Sequence, residues 1–367
     1  MKRIAIFVPD LAGGGAERMI VNLANEFAAR GLDTVLILAK AAGPYLRLLS
    51  AQVRLRDLDI RFGDPRVISR LAAALRSERP GALLTAMTYP NIAGILARRL
   101  VSHPFRLVIS ERVVLTQQSR SLPLLKEKLK PVAARRLYRS ADRIVAISNG
   151  VAQDLTENIG VPTSQVEVIY NPVSGPTTDE PHPPPNHPAF SNESVPVVIG
   201  AGRLVPQKDF ATLVRAFAQL RARRIAHLVI LGEGPERAAL EALAKKLKVS
   251  NSVWMPGYVP NPYSYMAYGT VFALSSRWEG FGNVLVEALA CGCPVVSTDC
   301  PSGPREILGD GTFGRLVRVG DPLAMAQALQ EAIDSPCHAE GNRSRARIFS
   351  IKAAADAYLH CLVEDKV

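Results

Sequence analysis

Short, uninterrupted apolar runs recur along both halves of this chain. Each is followed by a helical pattern, and that order leaves few folds open. The first run, Ile4–Val8, leads into the turn Gly13-Gly14-Gly15. Met19, Ile20, Leu23, Ala24 and Phe27 then follow at helical spacing to near Gly31, and a second run covers 34–39. Strand, helix and strand in this order make a βαβ unit, which calls for a parallel sheet covered by helices. Further strand-like runs lie at 82–86, 107–110, 144–148 and 166–170, with helical patterns between them.

The pattern breaks from Pro172 to Pro196, a stretch that contains Pro181, Pro183, Pro184, Pro185 and Pro188 and has almost no apolar periodicity. Such a stretch is predicted to be a linker. Strands at 197–201, 226–231, 253–255, 270–274 and 294–297 then alternate with helices at 210–223, 235–247 and 283–290. The α/β architecture is therefore used twice. We expect a first Rossmann-like domain over 1–172, a linker over 173–195 and a second Rossmann-like domain over 196–349. Ala355, Tyr358, Leu359 and Leu362 form an apolar stripe in the tail, so a helix near 350–367 is expected to return to the first domain.

At 367 residues the chain suits two domains, and an apolar content of 48% is ample for two cores. No apolar run reaches the roughly 18–20 residues of a membrane span, and the N-terminal run is short for a signal peptide. Five cysteines do not read as a disulfide framework, and Cys291-x-Cys293 lacks a second ligand pair, so small core residues and a cytoplasmic protein are expected. The net charge of +11 lies entirely in residues 1–172, where 25 Lys and Arg face 14 Asp and Glu. A basic half can face phosphorylated substrate, nucleic acid or anionic membrane. No aromatic-interleaved nucleic-acid module accompanies the charge, so no nucleic-acid partner is expected.

Three loops carry the chemistry. In the first, 275–287, a strand ends, a glycine-punctuated turn follows, and an apolar helix begins. Gly280 and Gly282 permit close backbone approach, and the first helical N–H groups, near Asn283 and Val284, suit a phosphate. Glu279 and Glu287 flank the turn and suit hydroxyls. A loop acid and a solvated helix residue are the plainer reading of the two. Against it, Glu287 stands among Leu285, Val286, Ala288 and Leu289. In the second loop, Arg203 and Lys208 bracket a turn at the carboxyl end of the first strand of the second domain, where open α/β sheets bind ligands. A guanidinium fork and an ammonium point charge suit a diphosphate. The third is the Gly13-Gly14-Gly15 turn. It fails the dinucleotide fingerprint, because Arg18 stands at the sixth position and Ala39-Lys40-Ala41 supplies no ribose-binding acid. It is read as backbone facing a ligand.

Together these loops resemble the GT-B glycosyltransferases of family 4, over essentially the full chain. The E-x7-E motif of that family appears as Glu279 to Glu287. The segment from Asp299 to Ile307 resembles a subgroup that builds bacterial lipid-linked or exopolysaccharide glycans from UDP-sugars. The resemblance implies a retaining, metal-independent transferase that moves a hexose or N-acetylhexosamine. It implies a UDP-sugar donor held between two Rossmann-like domains, no cofactor, and a glycan acceptor linked to a lipid diphosphate. Arg203 and Lys208 would neutralise the departing diphosphate. Glu287 would hold the ribose hydroxyls, and Glu279 the donor sugar hydroxyls with the backbone of Gly280, Phe281, Gly282, Asn283 and Val284. Where many members have a histidine, this chain reads Ser110-Glu111-Arg112, so Glu111 and Arg112 are expected, with the glycine turn, to face acceptor or phosphate. A nucleotide-sugar epimerase of the same fold and a non-catalytic binding partner are the competing readings.

Residues 112–139 hold eight Lys and Arg (Arg112, Arg120, Lys126, Lys128, Lys130, Arg135, Arg136 and Arg139) against Glu127, with leucines and valines interleaved. Such a segment can lie on an anionic bilayer, so peripheral association with the inner face of the plasma membrane is expected.

Overall fold

A computed structural model of the chain describes residues 3–121, 125–173, 183–336 and 338–363. It divides into two compact units, Met1–Pro172 with Ser350–Val367, and Val173–Phe349.

The first unit holds seven strands: β1 Ile4–Val8, β2 Thr34–Leu38, β3 Arg54–Asp57, β4 Ala82–Ala86, β5 Arg106–Glu111, β6 Arg143–Ala146 and β7 Val166–Val168. All pairings are parallel, in the order β3-β2-β1-β4-β5-β6-β7. β1, β2 and β4 are buried at every residue, as the continuous Val, Ile and Leu runs require when helices cover both faces. The chain order reverses between β1 and β4, so ligands belong at the carboxyl edge there.

One strand escapes the apolar-run reading. β3 is Arg-Leu-Arg-Asp, exposed throughout, and it closes the sheet edge. Arg54 pairs with Asp33 at 2.9 Å and Glu78 at 3.1 Å, and charge of this kind guards an edge against further strand pairing.

The chain's end belongs to this unit. In the C-terminal helix Ile351–Val363, Ala354, Ala355, Tyr358, Cys361 and Leu362 enter the same core as Ile6, Leu23 and Phe27. Arg30 pairs with Asp356, and Arg106 Nε donates to the Cys361 carbonyl at 2.5 Å. Burial of a side chain such as Leu362 stabilises by about 1.5–3 kcal/mol, and several such side chains act together here.

The second unit holds β8 Val197–Ala201, β9 His227–Leu231, β10 Val253–Gly257, β11 Val271–Leu274, β12 Val295–Thr298 and β13 Arg315–Val317. They are parallel in the order β10-β9-β8-β11-β12-β13, with a reversal between β8 and β11. β13 is half-buried and three residues long, too short for an apolar-run reading to find. The helices Phe210–Arg221 and Pro322–Asp334 supply Leu213, Phe217, Met325 and Leu329 to one core with Val198, Leu228 and Ile230.

The proline-rich stretch is packed where it is described. His187 lies edge-on to Trp254 at 5.6 Å, and Phe190 lies edge-on to Tyr265 at 5.7 Å. Ala189 is buried between these contacts. Within it, His187 packs on Trp254 of β10, while residues 183, 184, 186 and 188 are exposed. Cys291 and Cys293 are core residues with burial-raised thiol pKa values, Cys291 to about 12, so neither is a thiolate near neutrality.

Candidate active site

In the second unit the loops after β8 and β11 are stitched together at the carboxyl edge of the sheet. After Gly202 and Arg203 the chain turns, with Lys208 N donating to the Val205 carbonyl at 2.9 Å. Asp209 then caps the helix Phe210–Arg221, accepting from the Thr212 hydroxyl at 2.9 Å and from Arg277 Nε at 3.1 Å. Arg277 N donates to the Gln207 carbonyl at 2.8 Å, Gln207 Nε2 to the Trp278 carbonyl at 2.9 Å, and the Ser275 hydroxyl to the Lys208 carbonyl at 2.9 Å.

This stitching brings Lys208 and Glu279 together. Lys208 Nζ lies 2.6 Å from Glu279 Oε1, which also accepts from the Ser276 hydroxyl at 2.6 Å. Their side chains are 15% and 7% exposed, so the pair is largely withdrawn from water. Separated from Lys208, Glu279 would be a buried, uncompensated charge. Its backbone is tied down as well: Glu279 N donates to the Pro301 carbonyl at 2.7 Å, and Ser302 N donates to the Glu279 carbonyl at 3.1 Å.

Two glycines make the turn possible. Gly282, at φ +105°, is the N-cap of the helix Asn283–Ala290 and brings no side chain of its own to that position. At Gly303, φ +97°, a Cβ would lie 1.9 Å from the Phe281 carbonyl oxygen, so the segment following β12 can close on the turn only without a side chain. The side chain of Phe281 packs on Phe349 at 5.5 Å, which leaves its backbone, not its ring, to the turn. Glu287 is half-buried and stands one helical turn beyond Asn283, on the same face. Arg203 differs from Lys208: it is exposed, and its side chain makes no hydrogen bond or ion pair among the described residues. The loops thus present a held ammonium–carboxylate pair, an uncommitted guanidinium, and a helix start whose N-cap is a glycine.

In the first unit Gly14 is the N-cap of the helix Gly15–Ala29, and the Tyr45 hydroxyl donates to the Gly13 carbonyl at 3.2 Å. Glu111, expected to face acceptor or phosphate, is fully buried instead. It accepts from the Tyr138 hydroxyl at 2.5 Å, the Thr88 hydroxyl at 3.2 Å and Arg112 N at 2.9 Å. Burial pushes its carboxyl pKa up, against the opposing effect of these bonds. Asn91 extends the network to the Ser110 carbonyl at 3.0 Å. Both carboxyl oxygens of Glu111 are thus engaged within the first unit. Arg112 is buried too and only partly satisfied: its side chain hydrogen-bonds Tyr358, while Nε and Nη1 find no hydrogen-bond partner among the described residues.

Burial also thins the basic band of 112–139. Lys130 is only 9% exposed, with its ammonium over the Tyr89 ring at 5.0 Å. Arg139 donates to the Gly160 carbonyl at 2.6 Å. Lys128, Arg135 and Arg136 remain exposed on the helix Leu125–Leu137, beside Leu129 and Val132, which are 54% and 49% exposed. The side chain of Lys126 lies outside the described residues. The chain's Asp57-Leu58-Asp59 stands in the first unit, where Asp59 pairs with Lys40, and not among the second unit's loops.

Residues 13–174 match the family Glycosyltransferase Family 4, and residues 187–349 match Glycosyl transferases group 1. The chain is 30% identical to the Campylobacter jejuni N-acetylgalactosamine-N,N'-diacetylbacillosaminyl-diphospho-undecaprenol 4-alpha-N-acetylgalactosaminyltransferase, covering 99% of this chain and 100% of that protein. It is 29% identical to the lipopolysaccharide core biosynthesis glycosyltransferase LpsE of Rhizobium meliloti, covering 95% of this chain and 96% of the other. Anabaena HepE in complex with UDP-glucose has the same fold, with a TM-score of 0.79 at 19% identity over 99% of both chains. The chain is a glycosyltransferase of the family 4 type, with the GT-B fold.

Proposed function

We propose that the protein is a retaining, metal-independent transferase that moves a hexose or N-acetylhexosamine from a UDP-sugar to a lipid-diphosphate-linked glycan. Bacterial surface glycan assembly is the setting this implies. The observation that carries the reading is the held Lys208–Glu279 pair beside the uncommitted Arg203, at the carboxyl edge of the second sheet. In the reaction the bond from the anomeric carbon to the β-phosphate oxygen breaks. The acceptor oxygen bonds to that carbon on the same face, and its proton passes to the departing phosphate. Negative charge grows on the diphosphate as the bond opens. Cations placed to meet that growth accelerate the step more than they tighten substrate binding. Arg203 supplies such a cation directly. Lys208 supplies another, held in place by Glu279, whose second oxygen is left to accept from donor sugar hydroxyls. Glu287 is assigned the ribose hydroxyls, and the amides of Phe281 to Val284 the remaining polar atoms of the donor.

UDP release from a panel of UDP-sugars, with and without a lipid-diphosphate-linked acceptor, tests this reading. We expect one UDP-sugar to give acceptor-dependent release, an α-configured product from an α-configured donor, and unchanged turnover in EDTA. Inverted product would remove the retaining assignment, and loss of turnover in EDTA the metal-independent one. Interconversion of UDP-sugars without acceptor would make the protein an epimerase instead.

The exposed face of the helix Leu125–Leu137 carries Lys128, Leu129, Val132, Arg135 and Arg136, a composition that suits an anionic bilayer surface. Peripheral association with the inner leaflet follows as part of the proposal. The protein should co-sediment with anionic but not neutral vesicles, and Lys128→Glu with Arg135→Glu should release it. Equal sedimentation with both vesicle types would remove the electrostatic component.

A further inference from the structure

Ser276 stands two residues beyond β11 and is fully buried. Its hydroxyl donates to Glu279 Oε1 at 2.6 Å, the same oxygen that takes the Lys208 ammonium at 2.6 Å. A serine hydroxyl has one hydrogen, so this bond uses it up. The backbone of the serine is held in turn. Its carbonyl accepts from the Thr298 hydroxyl at 2.6 Å, and Thr298, also fully buried, ends β12. β11 and β12 are paired neighbours, so two strands together fix the point from which Ser276 reaches the carboxylate.

Lys208 alone does not set how that carboxylate is turned. An ammonium is a compact charge with three rotatable donors, and it serves either carboxylate oxygen equally well. The last torsion of a glutamate is broad and roughly two-fold, so a single cation lets Oε1 and Oε2 exchange. A second donor on a fixed backbone removes that freedom. Oε1 carries both bonds, and Oε2 makes none among the described residues. Nor does Oε2 belong to the buried polar atoms without a partner, so it opens to solvent although Glu279 as a whole is only 6% exposed. A largely buried acid thus offers one acceptor atom in one direction.

We propose that Ser276 is a positioning residue that sets donor specificity. By holding Glu279 Oε1 against Lys208, it aims Oε2 at one hydroxyl of the donor sugar, and sugars lacking that hydroxyl are refused. The inference rests on the transferase reading for the sugar that Glu279 meets. A site built to accept from a hydroxyl rejects the analogue without it strongly, because its own polar atom is then buried unpaired. That penalty requires the acceptor atom to stay in place, and the Ser276 hydroxyl keeps it there.

The UDP-sugar that the full chain uses, compared with its single-deoxy analogues, tests the proposal. In the parent, kcat/KM for one deoxy analogue should fall about 10²-fold or more below that of the complete sugar. Ser276→Ala should shrink that ratio about 10-fold, the scale of one lost hydrogen bond to a charged group, mainly through slower use of the complete sugar. UDP without a sugar should raise the thermal midpoints of parent and variant equally, which a serine that only supports the loops would not allow. Ser276→Thr, which keeps the hydroxyl, should restore the ratio. Thr298→Val, which loosens the serine without removing its hydroxyl, should shrink the ratio less, and it serves if the alanine variant does not fold. A parent that accepts every deoxy analogue equally, or an unchanged ratio in Ser276→Ala, overturns the proposal. So does a matching loss of UDP binding in that variant. If the parent transfers no sugar, the transferase reading fails, and heat stabilisation by the UDP-sugar against its deoxy analogues still decides the role of Ser276. A difference between them that shrinks in Ser276→Ala upholds it, and equal stabilisation overturns it.

Discussion

Both sheets hold a withdrawn cation at the carboxyl edge, and the two units treat it in opposite ways. In the second unit Lys208 is neutralised by Glu279 at 2.6 Å, and both are fixed by the lacing of the loops after β8 and β11. In the first unit Arg112 is buried with Nε and Nη1 unmet, while the carboxylate beside it, Glu111, is used up by other donors. A paired cation is ready in position before substrate arrives, which favours catalysis by a preorganised field. A buried cation with unmet donors leaves the empty fold less stable and returns that energy on binding, which favours recognition. The difference also explains why Arg203 matters: with Lys208 bound to Glu279, the exposed guanidinium is the one placed to gain most from new negative charge on a leaving group.

Arg203→Ala gives the largest effect that would sharpen the comparison. Turnover should fall about 10²- to 10³-fold with little change in the Michaelis constant. Unfolding stability should stay within about 0.5 kcal/mol, because the side chain is exposed. A rise in the Michaelis constant alone would mean that Arg203 binds ground and transition states equally. Arg112→Met should show the reverse pattern in ligand-free protein, a gain of about 1 kcal/mol or more in urea unfolding, since a buried cation with Nε and Nη1 unmet gives way to an apolar side chain. A loss of that size would make Arg112 a structural member of the first unit and erase the contrast.

The smallest effect concerns acid sensitivity, which the comparison places in the second unit. Burial lowers the His187 pKa below its ordinary 6.5, and burial, then Arg221 and His187, lower that of His227. The folded state therefore refuses protons that the unfolded chain accepts. Stability is complete above about pH 6.5 and is lost as pH falls toward the lowered values. Thermal midpoints between pH 7.5 and 5 should decline less steeply in His187→Phe with His227→Gln than in the parent. An unchanged slope would move the acid-labile element elsewhere.

The fold was largely open to reading from sequence, because strands buried on both faces announce themselves as apolar runs, as β1, β4 and β8 do. β3 and β13 were hidden for a physical reason. An edge strand of Arg-Leu-Arg-Asp is held by backbone pairing and ion pairs, neither of which leaves an apolar signature. The loops of the candidate site were visible as glycine and charge at strand ends. What stayed hidden was who pairs with whom: Lys208 and Glu279 meet across 71 positions, and no local pattern encodes that contact. Charge counting along 112–139 likewise treated Arg112, Lys130 and the exposed Arg135 alike, although only the last keeps its charge in water. Burial, not sequence position, separates a ligand-facing cation from a solvated one.

The central claim is that the Lys208–Glu279 pair acts in sugar transfer and not only in holding two loops together. Lys208→Met, Glu279→Gln and the double variant, each measured for urea unfolding and for acceptor-dependent UDP release, test it most directly. Lys208→Met should lose about 3 kcal/mol of stability by leaving Glu279 buried and unpaired, and the double variant should recover most of it. Turnover should remain down about 10²- to 10³-fold in the double variant despite the recovered fold. Return of turnover together with stability would contradict the account and leave the pair a structural clasp.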